Sequence, residues 1–160
     1  GISHVSEGKS VIPELTVKEN LELGAIWRKD GKEMKESLNQ VVDIFPRLGE
    51  RIGQRSDTLS GGERQGVAIS RAILFQSRLV MLDEPTTAMA LSEAGEVMEF
   101  IRDLKRQGKS VIFISHNPWD AHAVADRFVI LDRGKVVFDG PKGNMTPEEF
   151  ISKLHNFAKK

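Results

Sequence analysis

Two short runs of this 160-residue chain carry residue types that could handle a phosphate. The first is Leu59-Ser60-Gly61-Gly62-Glu63-Arg64-Gln65, a hydroxyl and two glycines at the mouth of a helical pattern. A helix N-terminus presents unpaired amides and a partial positive charge. Glycines let that backbone approach an anion closely. Residues 59–62 can therefore receive phosphate oxygens, with the Ser60 hydroxyl as a further donor; a plain helix capped by Ser60 has the same sequence. The second run is Leu79-Val80-Met81-Leu82-Asp83-Glu84-Pro85, an apolar strand ending in two acids. The open end of a parallel strand is where ligands bind in such sheets. Asp83 suits Mg2+ held through water, and Glu84 suits the orientation or deprotonation of a water. Two solvated acids at a strand end are the plainer alternative. Pro85 predicts extended geometry for Glu84. His116, in Ile114-Ser115-His116-Asn117, could touch a terminal phosphate or be a loop histidine with no duty. His4, His122 and His155 receive no role. No Gly-x-x-x-x-Gly-Lys-[Ser/Thr] loop occurs anywhere in the chain.

The elements that must position these residues read as helices first and alternating α/β later. Residues 1–12 read as extended and loop-like. Thr16-Val17-Lys18-Glu19 has capping-box spacing and predicts a short helix to Leu23, stopped by Gly24. Met34, Leu38, Val41, Val42 and Phe45 recur at helical spacing, with Pro46 closing that helix. Residues 46–58 read as a connection. Ser60 through Glu63 repeats the capping-box spacing and predicts a helix to about Phe75. Residues 79–82 and 111–114 read as strands buried on both faces. Ser92 is the expected cap of a helix with Ala94, Val97, Ile101 and Leu104 on its apolar stripe and Gly108 at its end. Asn117-Pro118 opens another helix. Residues 128–131 and 136–138 flank Asp132-Arg133-Gly134-Lys135, a hairpin turn, and Thr146 caps the last helix. The second half thus reads as part of an α/β sheet with an antiparallel edge.

Bulk properties bound the function loosely. The length fits one domain with a sizeable core. Lys+Arg and Asp+Glu are both 23, so no electrostatic footprint for nucleic acid is present. The absence of cysteine excludes disulfides and thiolate metal sites. No apolar run reaches the length of a transmembrane helix.

Together, these motifs resemble the ATP-binding cassette (ABC) ATPases. Residues 59–65 resemble that family's signature motif, residues 79–84 its Walker B strand with the catalytic glutamate, and Ser115-His116 its switch histidine. Residues 85–90 fall at its D-loop. Residues 3–24, including His4-Val5-Ser6-Glu7-Gly8 and Glu19-Asn20-Leu21, resemble the Q-loop and the start of the helical subdomain. The resemblance covers essentially the whole chain. It implies an α/β fold: a partial P-loop NTPase (RecA-like) parallel sheet with an ABC-type α-helical subdomain. The Q-loop region would be residues 1–12, the helical subdomain 13–58, and the signature helix with the C-terminal part of the core 59–160.

The resemblance further implies ATP and Mg2+ as cofactors. Glu84 and His116 would be catalytic, and Asp83 would serve Mg2+ through water. Leu59, Ser60, Gly61, Gly62 and Glu63 would bind the ATP of an opposite subunit, because the family forms head-to-tail dimers. Glu7 stands at the nucleotide- and metal-sensing Q-loop position, an acid where the family has an amide. Residues 8–30, with Trp27, would lie near transmembrane permease subunits, at the cytoplasmic face of the cell membrane. Ala90 replaces an Asp of the D-loop, and Gly66 a larger residue. The missing lysine loop implies the C-terminal portion of a longer subunit, lacking roughly its first third and almost inactive alone. Residues 83–89, 114–117 and 124–128 look like simple-sugar importers. Residues 5–8, 13–21 and 44–48 look more like branched-chain amino-acid importers, and sugar is favoured. A truncated, non-catalytic interaction subunit is the alternative class. Soluble ABC ATPases of DNA repair and translation fit the even charge poorly.

Overall fold

In a computed structural model the protein is described over residues 1–6, 11–26, 31–87 and 89–158. It divides into two compact units, Gly1–Ile114 and Ser115–Lys160. The first unit contains, in order, β1 (Ile2–Val5), α1 (Val17–Gly24), α2 (Gly31–Ile44), α3 (Pro46–Glu50), a 3-10 turn (Ser56–Thr58), α4 (Gly61–Leu74), β2 (Leu79–Asp83), α5 (Leu91–Arg106) and β3 (Ser110–Ile114). The second contains α6 (Pro118–Val124), β4 (Arg127–Asp132), β5 (Lys135–Pro141) and α7 (Pro147–Ala158).

Strands β1, β2 and β3 form a parallel sheet in that order, with Val5 beside Leu82 and Asp83 beside Ile114. β1 sharpens the expectation for residues 1–12, whose first part is a paired strand. Each crossover steps the same way along the sheet, and right-handed crossovers then place α4 and α5 on one face. Burial agrees. Val5, Val80 and Leu82 are at most 1% exposed, and α5 buries Val97, Ile101 and Leu104. Each such side chain contributes about 1.5–3 kcal/mol on leaving water. The opposite face stays open, with Ile112 and Ile114 at 44% and 45% exposure. The strands at 79–82 and 111–114 are therefore not buried on both faces. Among the described residues of the first unit, helices cover one side of these strands, and Ile112 and Ile114 on the other side stay exposed.

The helices of the first unit interlock through a buried amide. Thr16 caps α1 as its sequence predicts, with Glu19 completing the box. Asn20, one position on, has no exposed surface. Its Oδ1 accepts from the Ile12 amide at 2.9 Å, and its Nδ2 donates to the Ile12 carbonyl and to Ser56 Oγ, both at 2.9 Å. Residues 11–16 are thereby tied to the 3-10 turn that leads into α4. Pro46 does end α2, but it also opens α3 at the first helical position, where its missing amide costs nothing. Residues 46–58 are thus largely helical rather than a bare connection. Helix α5 is capped at Ala90, not Ser92: the Ala90 amide donates to Glu93 Oε2 at 2.9 Å, and Ala90 has no side-chain acceptor of its own.

In the second unit Asn117 caps α6 by accepting from the Trp119 amide, and Thr146 caps α7. β4 and β5 are antiparallel around Arg133 and Gly134, both at positive φ, the geometry of a two-residue I′ turn. They pair with each other alone in a separate two-stranded sheet, so the expected antiparallel edge on the main sheet is not formed. Phe128 stacks on Phe150 with ring centroids 4.0 Å apart, and His122 stacks on Phe128. His122 Nε2 also lies 2.7 Å from the Met145 carbonyl oxygen, so this histidine belongs to the packing of its unit.

Candidate functional site

The anion-binding candidate is built by the cap of α4. Ser60 is extended, at φ −62° and ψ 165°, and turns its side chain onto the first helical turn. Ser60 Oγ accepts from the Glu63 amide at 3.1 Å, and the Ser60 amide donates to Glu63 Oε2 at 2.9 Å. The Ser60 oxygen is used as an acceptor here, and its O–H remains a donor. The first amides of a helix have no intrahelical acceptor, and those of Gly61 and Gly62 fall in this class. Three donors are thus grouped at the positive end of a 14-residue helix.

Glu63 faces the other way. It is buried, its second oxygen lies 2.9 Å from Arg51 Nε, and so both oxygens are held within the fold. Its part is to fix Ser60, with Arg51 balancing its charge. Leu59 is buried, and its carbonyl accepts from Arg64 Nη1 at 2.6 Å, which steadies the entry to the cap. Arg51 was not legible as a partner, because nothing in the local sequence marks a contact across twelve residues. Gln65, on the same helix, is buried with Nε2 unpartnered among the described residues.

The acidic pair sits at the C-terminal end of β2, the central strand. Asp83 is half-buried and ends the pairing with β3. Glu84 departs from the extended geometry that Pro85 predicts, with φ at +48°. The left-handed region is sparsely populated by residues with a Cβ, and such strain persists only where surroundings hold it. Here the Glu84 amide donates to the Ile114 carbonyl at 3.0 Å, extending the ladder by one bond. Thr87 then ties the turn, its amide to the Glu84 carbonyl at 3.3 Å and its Oγ1 to Glu84 Oε2 at 3.1 Å. The two acids therefore leave the strand in different directions: Asp83 follows the pleat, and Glu84 is turned by the backbone. Thr87 is the supporting residue that the motif reading passed over.

Mg2+ fits this arrangement as an ion arriving with a nucleotide. Among the described residues no group of three or more acids or histidines could cage a metal. A single carboxylate suffices for an ion that keeps waters and takes phosphate oxygens.

The C-terminal end of α4 lies near the start of β1, since a Cβ on Gly1 would meet Phe75 at 3.4 Å. His116 belongs to the second unit, is exposed, and directly precedes the Asn117 cap of α6. Glu7 and Trp27 lie outside the described residues.

A parallel sheet with a capped Ser-Gly-Gly helix mouth and two acids at a strand end is an α/β arrangement suited to binding a phosphate-bearing ligand. The ABC transporter family profile matches residues 1–87, and the chain belongs to that family. It is 35% identical to the xylose/arabinose import ATP-binding protein XylG of Sulfolobus acidocaldarius, over 99% of this chain and 64% of that protein. It is 38% identical to the high-affinity branched-chain amino acid transport ATP-binding protein BraG of Pseudomonas aeruginosa, over 85% of this chain and 58% of that one. The chain therefore spans about three-fifths of the length of these relatives. Among solved structures, a dimeric ATP-binding cassette bound to ADP and phosphate is similar with a TM-score of 0.79 and 26% identity, over 88% of this chain and 62% of that one. An ATP-binding subunit of an ABC transporter shares the fold at a TM-score of 0.84 and 24% identity, over 96% of this chain and 68% of that one. The fold is accordingly a partial P-loop NTPase cassette. No helix among the described residues is long and apolar enough to cross a membrane.

Proposed function

We propose that the chain is part of the ATP-hydrolysing subunit of an ABC importer for simple sugars, docked on transmembrane permease subunits at the cytoplasmic face of the membrane. The observation that carries this reading is the pair of motifs in the first unit: donors on the α4 cap and acids at the end of β2. In this reading Asp83 holds Mg2+ through water, Glu84 orients the attacking water, and His116 contacts the γ-phosphate. Ser60, Gly61 and Gly62 grip the ATP of an opposing subunit in a head-to-tail dimer, and Leu59 and Glu63 shape that grip. Glu7 serves the Q-loop position, with weak metal contact. Residues 1–12, 13–58 and 59–160 act as Q-loop region, helical subdomain and signature-plus-core segment.

Sugar is preferred over branched-chain amino acids because the strand-end and switch segments support it, although the relatives include both kinds. The 160 residues alone bind ATP poorly and hydrolyse almost none, since no lysine loop grips the phosphates. Purified chain assayed with Mg-ATP is expected to show no turnover above background; turnover abolished by Glu84→Gln would refute this. The second reading, a truncated interaction subunit, rests on the same missing loop. An in-frame phosphate-binding loop immediately upstream of the Gly1 codon supports the enzyme; a start codon there supports the interaction subunit.

A further inference from the structure

Two helix mouths of the first unit are built alike, and both end on the same short segment. At α4, Glu63 Oε2 accepts from the Ser60 amide, and its Oε1 lies 2.9 Å from Arg51 Nε. At α5, Glu93 Oε2 accepts from the Ala90 amide, and its Oε1 lies 3.7 Å from Arg47 Nη1. Each glutamate stands at the third position of its helix, closes the cap with one oxygen and turns the other to an arginine. Arg47 lies within α3 and Arg51 is its C-cap, so about one helical turn separates the two cations.

The packing of α3 separates this arrangement from two independent surface ion pairs. Leu48, between the arginines, is 2% exposed, and a Cβ on Gly66 of α4 would stand 3.6 Å from its Cδ1. Gly49 lies so close to α2 that a Cβ there would meet Val42 Cγ1 at 2.6 Å. The residues that follow accept from a third helix: the Val17 and Lys18 amides of α1 donate to the Gln54 and Ile52 carbonyls, each at 2.9 Å. Helix α3 is therefore wedged between neighbours and cannot shift with one mouth alone. The glutamates are the shielded partners, at 8% and 16% exposure against 40% and 67% for Arg51 and Arg47. Removal of an arginine leaves a shielded carboxylate without its counter-charge and loosens the cap that it closes. Arg47 also faces Glu96, whose carboxyl is held above its ordinary range by burial and then by Glu93, with Arg47 opposing both.

We propose that α3 is a positioning strut for both mouths. Arg51, acting through Glu63, sets the Ser60–Gly62 donors, and Arg47, acting through Glu93, sets the entry to α5, the helix that follows the Asp83–Glu84 strand end. Neither arginine contacts a ligand in this role. Its bearing on nucleotide rests on the reading of Ser60–Gly62 as phosphate donors.

The test is amide exchange on the 160-residue chain, read residue by residue by NMR. Local opening and global unfolding separate in such data, with Ile69 and Val97 reporting the global term. Arg51→Gln should speed exchange of the Ser60 amide at least fivefold relative to Ile69, and Arg47→Gln should do the same for the Ala90 amide relative to Val97. The mark of a strut is the cross-effect: each variant should also speed the other mouth at least twofold. Arg55→Gln removes a nearby cation that pairs with Asp57 and should leave both mouths unchanged. If Arg51→Gln folds poorly, Arg47→Gln, at the more exposed side chain, reads the same cross-effect at Ser60. A uniform change in all amides, effects confined to each variant's own mouth, or an equal effect of Arg55→Gln overturns the proposal. Inorganic pyrophosphate then probes the functional side. It should shift the Gly61 and Gly62 amide resonances of the unaltered chain, with at least threefold weaker apparent affinity in Arg51→Gln. Unchanged affinity in that variant also overturns the proposal. An unaltered chain that shows no such shifts but the expected exchange pattern refutes the anion-binding reading of the α4 mouth and leaves the strut standing.

Discussion

Gly24→Ala and Gly66→Ala are the same chemical change on two touching helices, and the structure predicts opposite signs. Gly66 lies inside α4, where a Cβ would meet Leu48 Cδ1 at 3.6 Å and Phe45 Cδ1 at 3.7 Å. Those are ordinary contacts, so the methyl fits. Removing a helical glycine gains about 0.8–1 kcal/mol, and the buried methyl adds up to about 0.8 kcal/mol more. Gly24 ends α1 against α4, and a Cβ there would stand 2.8 Å from the Arg71 carbonyl oxygen and 3.0 Å from Arg71 Cα. That carbonyl accepts from the Phe75 amide at 3.1 Å, so it is fixed helix backbone that cannot swing aside. Overpacking of this kind costs about 1–3 kcal/mol, which exceeds the propensity gain at a helix end. Gly66→Ala should therefore raise stability by about 1 kcal/mol and Gly24→Ala lower it by about 1–2 kcal/mol. At this size each kcal/mol moves the midpoint about 2–4 °C. Urea unfolding followed by circular dichroism, with equal m-values, reads both, and hydrogen exchange of the α4 amides should shift in parallel. A stabilised Gly24→Ala, or a Gly66→Ala that loses stability, would show that the close approach of α1 and α4 is misjudged.

Three further outcomes are expected. Asn20→Ala should cost more than about 2 kcal/mol, since it strands the Ile12 amide and Ser56 Oγ in a buried site; a change below half that in urea unfolding would refute the bracket. Glu84→Asn should be neutral or stabilising by up to about 1 kcal/mol, and Glu84→Val destabilising, because Asn tolerates the left-handed region and a β-branched residue does not; equal midpoints for the two would sink the positive-φ argument. The Thr16 amide, then the Thr16 hydroxyl, hold Glu19 below its ordinary value of 4.5. A depressed carboxyl contributes stability that is present above the unfolded value and lost as pH falls through the folded one. Glu19→Gln should therefore flatten the stability profile below pH 4.5 and leave the difference between pH 6 and 8 unchanged.

Local signals carried much of this fold because their causes are local. The capping boxes at Thr16, Ser60 and Thr146 are made by residues three apart, and each forms as spaced. The helix over 92–106 was legible from its apolar stripe, but its cap was not. Ser92 has the right chemistry, and the helix is capped two residues earlier, at Ala90. Glu84 failed for a related reason: Pro85 biases its neighbour toward extension, and a single long-range bond to Ile114 together with the Thr87 turn overrides that bias.

The sequence by itself determined which residues are candidates for the chemistry. A Ser-Gly-Gly helix mouth and an Asp-Glu strand end are statements about residue type at fixed spacing, and they carry the resemblance that the family profile over residues 1–87 bears out. Only the tertiary structure decided how those residues face. It turned Glu63 inward onto Arg51, gave Glu84 a positive φ, and left Ile112 and Ile114 exposed on one side of the sheet. The physical reason is that burial and pairing across the sheet depend on which elements meet. No short window of sequence contains both the Glu84 amide and the Ile114 carbonyl it finds.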